Sequence, residues 1–331
     1  MTASLIELLP VELLQPIFFA SDYNIALLQA SPRISARLSS DYVYGPVCDY
    51  YLIDVLDNRD QQTQAQTYIF ASKWMTWTYV KSWILRAFEA QGCLCGMTPN
   101  KGCFDAQWPP NFENATDMVF SRSHLPRLAF IKGRIPRKLL HGPWKPEKVQ
   151  FLRFLLWITS MTVDWRDQEV RQKAIDGRRQ AILERNLEAV ELFNHNRRLG
   201  KAATLSTVRF AVIEGGCDRS IVYYTMFTAQ MWGSGISWEC AELDQWCEQR
   251  MKNGDPKGLW LKTKLQELRA PSRVGKIYQG EGLGYKRLPG GELDQTAGDY
   301  DGGANDQLVV TENKWFQVSY SFSLFRRLLC W

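Results

Sequence analysis

Across residues 1–40, apolar side chains recur in three short bursts, each at helical spacing. Ser4 and Glu7, three apart, match a capping box, in which each side chain serves the other's backbone N–H at the start of a helical turn. Pro10 fits the first position of a helix, where its missing N–H costs nothing. Leu13, Leu14, Ile17 and Phe18 follow as one apolar stripe. Pro16 interrupts that stripe, and an interior proline removes a hydrogen bond, so a kink or split is expected near residue 15. Ser21 and Asp22 are cap candidates for a second helix carrying Ile25, Leu27 and Leu28. Ser31-Pro32 opens a third, with Ile34 and Leu38 one turn apart. Helices this short are not stable alone. They must pack on one another or on a partner.

Further along, Phe70, Trp74, Trp77, Val80, Ile84 and Phe88 fall on one helical face, and Gly92 is a stop signal. The pattern predicts a single long amphipathic helix over 61–90, inside a linking segment 49–91. Residues 92–146 are rich in Pro, Gly and Asn. They read as an irregular stretch packed through Trp108, Phe120, Phe130 and Trp144, and as the expected boundary region. Helical periodicity returns over 147–162, 166–197, 204–214, 218–231, 238–252 and 257–269, with stops at Gly200, Gly215-Gly216, Gly233 and Gly254. Gly177 is the expected break within the longest of these. The fold class is therefore all-α: a three-helix module over 1–48, the linking helix, the irregular middle and a helical domain over 147–270. Short turns between successive helices make that domain solenoid-like, without a strict repeat. Residues 271–331 begin with a Gly- and Asp-dense run that lacks an apolar period, which predicts a flexible tail. Their apolar end reads either as an element that docks back or as a partner-binding end.

Composition adds one feature. Thirteen Trp, thirteen Tyr and sixteen Phe supply more large apolar area than a core of this size needs, so some rings are candidates for a binding face. The net charge of +5, from 40 basic and 35 acidic residues, is spread along the chain. The basic run from Arg171 to Arg185 is interleaved with Asp176 and Glu184 and reads as a solvated helix face, so no nucleic-acid partner is expected. The apolar run from Phe151 to Val163 contains Arg153 and is shorter than the roughly 20 residues a membrane span needs, so it reads as a core helix. MTASLIELLP has no basic region ahead of an unbroken apolar core, so no secretory leader is expected. The eight cysteines are then expected as thiols, in a protein of the cytoplasm or nucleus.

Catalytic patterns were sought among the polar residues. His124, His141 and His195 form no HExxH or i, i+4 pair, and neither GxSxG nor a phosphate loop occurs. Gly280-Glu281-Gly282-Leu283-Gly284 lacks the strand and helix that a nucleotide loop requires. Cys93, Cys95 and Cys103 make the best metal candidate but lack a fourth ligand at any familiar spacing. The expectation is a protein that is not an enzyme and holds no cofactor or metal.

The most informative stretch is Leu9-Pro10, Glu12-Leu13-Leu14 and Ile17-Phe18, continued by Leu27, Ser31, Ile34 and Leu38. It resembles the F-box, a short three-helix module, and the later chain, through SKWMTW and RRLGKAATLSTVRFAVIEGGCDRSIVYY, looks like F-box proteins of filamentous fungi. Where that module often carries tryptophan, this chain has Ile34 and then Tyr42-Val43-Tyr44. The resemblance implies a substrate-recruiting subunit of a cullin–RING ubiquitin ligase, with the linker adaptor and cullin as partners and a protein target held by the rest of the chain. By position it implies that Leu9, Pro10, Leu13, Ile17 and Phe18 contact the adaptor, while Leu14, Leu28, Ile34 and Leu38 hold the module together. The alternative is a helical interaction scaffold without a ligase link, presenting Trp232, Trp238, Trp246 and Trp260 to one protein.

Overall fold

The computed structural model describes residues 4–88, 128–232 and 236–270, together with the backbone of two short strands. The protein is all-α. The chain divides into two compact units, residues 1–177 with 198–200, and residues 178–197 with 201–331. The division falls beside Gly177, not in the 92–146 segment where composition placed it. Residues 1–48 belong to the first of these units.

The first unit begins with α1 (Leu5–Leu8), α2 (Val11–Ala20), α3 (Ile25–Ala30) and α4 (Pro32–Arg37). Ser4 N–H donates to the Glu7 carboxylate at 2.9 Å, closing the first turn. Pro10 lies one position before α2 rather than inside it, its carbonyl accepting from Leu13 and Leu14 N–H. Helix α2 runs unbroken through Pro16, contrary to the expected split. The N–H that Pro16 lacks would have met the carbonyl of Glu12, an exposed residue, so the freed acceptor is within reach of water. The cap of α3 is Asn24, whose Oδ1 accepts from Ala26 N–H at 3.0 Å. Ser21 and Asp22, the expected caps, lie in the preceding turn, where Asp22 and Tyr23 take positive φ. Ser31 caps α4 as its Ser-Pro signature predicts.

Helix α5 (Asp41–Leu52) lies beyond the three expected helices and carries Gly45 and Pro46 in its interior. It is followed by α6 (Arg59–Ala71) and α7 (Trp77–Phe88), two helices where one long helix was expected. The gap has a tertiary cause. Lys138 Nζ donates to the carbonyls of Ser72 and Met75, claiming acceptors that a continuous helix would use internally. Thr76 Oγ1 then accepts from Tyr79 N–H and starts α7 afresh. Two buried glutamines of α6 close the end of α5: Gln62 and Gln66 both donate to the Tyr51 carbonyl, at 3.1 and 3.2 Å.

Of the irregular middle, residues 128–146 are described and contain a 3₁₀ turn, Arg137–Leu139. Helix α8 (Pro146–Ile158) is buried almost all round and meets α7 through Trp77, whose ring lies 5.8 Å from Phe151 and 5.3 Å from Phe154. The expected helix over 166–197 is two, α9 (Gln168–Leu183) and α10 (Leu187–His195). Its break comes at Arg185, which takes positive φ, with Asn186 capping α10. Gly177 stays inside α9 for a different reason: a Cβ there would lie 1.8 Å from the Leu140 carbonyl oxygen.

In the second unit, α10 and α11 (Leu205–Ile213) pack on α12 (Arg219–Trp232). Asn194 Nδ2 donates to Thr225 Oγ1 in that interior. Helices α13 (Ala241–Lys252) and α14 (Pro256–Arg269) form an antiparallel hairpin, closed at its far end by Arg269, which reaches back to Asp244 at 2.9 and 3.0 Å. Its turn places Gly254 at φ 72°. Within the expected tail, Lys286–Arg287 and Leu293–Asp294 pair as antiparallel strands, β1 and β2. The rest of that tail, residues 92–127 and the Cys93, Cys95, Cys103 cluster lie outside the described residues. No helix among the described residues is long and apolar enough to cross a membrane.

Candidate functional site

Helix α2 has two differently treated apolar sides. Leu14 and Phe18, one turn apart, are wholly buried, and Phe18 makes an edge contact with Tyr23 at 5.9 Å. Leu13 and Ile17, also one turn apart, stay 54% and 42% exposed. Leu5 and Leu8 of α1 are more exposed still, at 86% and 61%. Pro10 is exposed and Leu9 half-buried. Phe18, which the resemblance assigned to the adaptor-facing set, is therefore corrected to an interior residue. It lies five positions after Leu13 but four after Leu14, so it shares the buried stripe.

Of the residues assigned to hold the module together, Leu14, Ile34 and Leu38 are buried, while Leu28 is half-buried. Leu5 and Leu8 were not singled out in the sequence. Their signal was available: a four-residue helix buries none of its own side chains, so the apolar residues in it remain open.

Polar links fix this region. Ser31 Oγ donates to the Glu7 carboxylate and joins the start of α4 to α1. The Arg37 guanidinium donates to the Leu9 carbonyl, tying the end of α4 to the entry of α2. Tyr51 Oη donates to the Tyr23 carbonyl at 3.1 Å, anchoring the turn after α2 to α5. The hydrogen bond from Ser31, then that from Ser4 N–H, hold the Glu7 carboxyl below its ordinary value of 4.5, with Arg33 adding attraction. A depressed carboxyl contributes stability that is present above 4.5 and is lost as pH falls through the lower, folded value. The amide resonances of Ser4 and Arg33 should therefore be constant above that pH and titrate together below it. A shared midpoint at or above 4.5 contradicts the link.

Beside this surface lies a cavity of about 210 Å³, lined from α3, α4, α5, α6 and the link that follows α6. Trp74, expected on a helical stripe, is in that link and stacks on Tyr44, with ring centroids 4.1 Å apart and planes 8° from parallel. Leu28 and Leu38 both line the cavity.

Of the tryptophans in the alternative reading, three are described, and the Trp232 side chain lies outside the described residues. Trp238 is buried, its indole N–H donating to Gln230 Oε1 at 2.8 Å. Trp260 packs on Tyr223, and Trp246 is half-buried beneath the Arg250 guanidinium. Among the described residues no cluster of three His, Cys, Asp or Glu is placed to hold a metal. Cys48, Cys217 and Cys247 are buried, and desolvation pushes each thiol up, Cys217 to about 12 and Cys247 to about 11, which leaves them far from the reactive thiolate form. Set against family models, curated proteins and solved structures, the chain matches none.

Proposed function

We propose that this protein is a non-catalytic, substrate-recruiting subunit of a cullin–RING ubiquitin ligase. It docks the linker adaptor through α1 and α2 and holds a protein target elsewhere. One observation carries the reading. Within a ten-residue helix that begins after Leu9-Pro10, Leu13 and Ile17 stand open while Leu14 and Phe18 are sealed. Four large apolar side chains left open over two adjacent short helices are the kind of patch a partner covers. Covering a side chain of this size fully is worth about 1.5–3 kcal/mol, so the patch is large enough to matter for affinity. The revised adaptor-facing set is Leu5, Leu8, Leu9, Pro10, Leu13 and Ile17. The second unit leaves Leu183, Ile213, Met251 and Leu259 exposed, and these are candidates for target contacts.

The test is affinity purification of the intact chain and of Leu13→Asp combined with Ile17→Asp. Deleting residues 1–45 is the wrong experiment, because it would strip buried partners from the first unit. The parent should co-purify with the linker adaptor and a cullin. The double variant should lose both while its circular dichroism and thermal melt stay unchanged. A folded double variant that keeps the adaptor sinks the reading. A partner retained by both forms, with no cullin in either, favours the scaffold alternative.

A further inference from the structure

We infer that the cavity beside the proposed docking surface is a seat for a small amphipathic carboxylate, a single ring or short alkyl chain bearing one anionic end. The inference does not rest on the ligase reading, because none of the open residues of α1 and α2 lines the cavity.

The lining sorts by chemistry. Its floor is aliphatic and buried: Ile25, Leu38, Val43, Val47 and Ile69. One wall is the Tyr44–Trp74 stack, held from outside by Tyr79, whose ring meets Trp74 edge-on at 5.2 Å. Such a floor and wall favour a flat or flexible apolar group. Size then limits the occupant. A cavity of about 150 Å³ accepts benzene, so about 210 Å³ takes roughly eight to ten non-hydrogen atoms and excludes a drug-sized ligand.

Charge decides the polar end. Lys73 is the one ionisable side chain of definite charge among the lining residues, and no carboxylate lines the cavity. Lys73 has no ion-pair partner among the described residues. Ser72 and Ser39 are already engaged, Ser72 Oγ donating to the Tyr68 carbonyl and Ser39 Oγ bonding the Tyr44 hydroxyl. The Ser35 hydroxyl, like that of Tyr68, has no described partner, and either is a second donor available to an anionic head group. An ammonium and a spare hydroxyl beside an aliphatic floor suit a carboxylate, and the ammonium repels a protonated amine.

The link bearing Lys73 and Trp74 is itself fixed at both ends by Lys138, which donates to the carbonyls of Ser72 and Met75. The backbone that carries Trp74 and Lys73 is thus held before a ligand arrives, which lowers the ordering cost of binding.

The test uses the intact protein with phenylacetate and octanoate as probes, and 2-phenylethanol and 2-phenylethylamine as neutral and cationic counterparts. Saturation-transfer NMR and isothermal titration read binding. The carboxylates should bind saturably, with the alcohol weaker by about two- to fivefold, the range of an exposed ion pair, and the amine weaker again. Lys73→Met should erase the difference between acid and alcohol. Leu28→Trp, which narrows the cavity, should weaken binding of both by at least tenfold; if that variant melts early, Ser35→Leu makes the same test from the other side.

Three results overturn the inference. One is no saturable binding of either acid. Another is binding indifferent to Lys73→Met and to both narrowing variants. The third is a short peptide with a free apolar C-terminal residue displacing the acids at more than tenfold lower concentration, which would assign the seat to a polypeptide.

Discussion

Replacing Gly177 by alanine should lower the unfolding free energy by about 3 kcal/mol or more, although the same change inside an ordinary helix stabilises by about 1 kcal/mol. The reversal comes from one close approach. Gly177 lies within α9, and a Cβ there would sit 1.8 Å from the Leu140 carbonyl oxygen and 2.9 Å from its carbon. The obstruction is backbone, so no rotamer relieves it. Leu139 and Leu140 are buried and cannot retreat without opening the core. If α9 moves instead, the hydrogen bond from the Trp144 indole to the Gly177 carbonyl, 3.1 Å long, is lost. Gly254→Ala is the control. Its φ of 72° strains an L-residue, but nothing lies within 4 Å of the added carbon, so its cost should stay near the backbone value of about 1–2 kcal/mol. Urea denaturation followed by far-ultraviolet circular dichroism compares the two. A Gly177→Ala variant as stable as the parent refutes the close approach.

Gly177 also illustrates what the amino-acid order could and could not convey. A glycine in a long helical pattern is read as a break because its backbone is permissive. Here it serves packing, and the contact that requires it comes from 37 positions earlier in the chain, at Leu140. The true break, at Arg185-Asn186, has no glycine and relies on a positive φ at Arg185 and a side-chain cap from Asn186. The same logic explains the missed gap between α6 and α7. Apolar spacing carries on through Trp74, but Lys138 takes the carbonyls of Ser72 and Met75 and turns that tryptophan onto Tyr44. Elements whose limits are set locally were legible: the Ser31-Pro32 start, α8 with its apolar run, and α11 to α14 within a few residues of their expected ends. Elements limited by distant donors or by crowding were not.

The candidate site divides in the same way. Leu13-Leu14 and Ile17-Phe18 are adjacent pairs, each spanning about 100° of helix, so the sequence offers two parallel stripes and no means of choosing the inner one. Three-dimensional packing makes the choice: Leu14 and Phe18 inside, Leu13 and Ile17 outside.

That choice has a direct consequence. Phe18→Ala should destabilise the first unit by about 3–5 kcal/mol, the range for an aromatic side chain lost from a packed interior, because Phe18 has no exposed surface. Ile17→Ala, one residue away, should change stability by less than about 1 kcal/mol. Under the proposed function the effects on partner binding are inverted. Ile17→Ala and Leu13→Ala should each weaken adaptor affinity by about tenfold, the loss expected when an anchor at the centre of an interface is truncated. Phe18→Ala should weaken binding only as far as it unfolds the helix, so a temperature low enough to keep the variant folded restores affinity. Thermal melts paired with calorimetric titration of the purified linker adaptor separate the two quantities. If Phe18→Ala costs no stability, the inner stripe is wrongly assigned. If Ile17→Ala and Leu13→Ala melt normally and bind normally, the open stripe of α2 serves some purpose other than the adaptor.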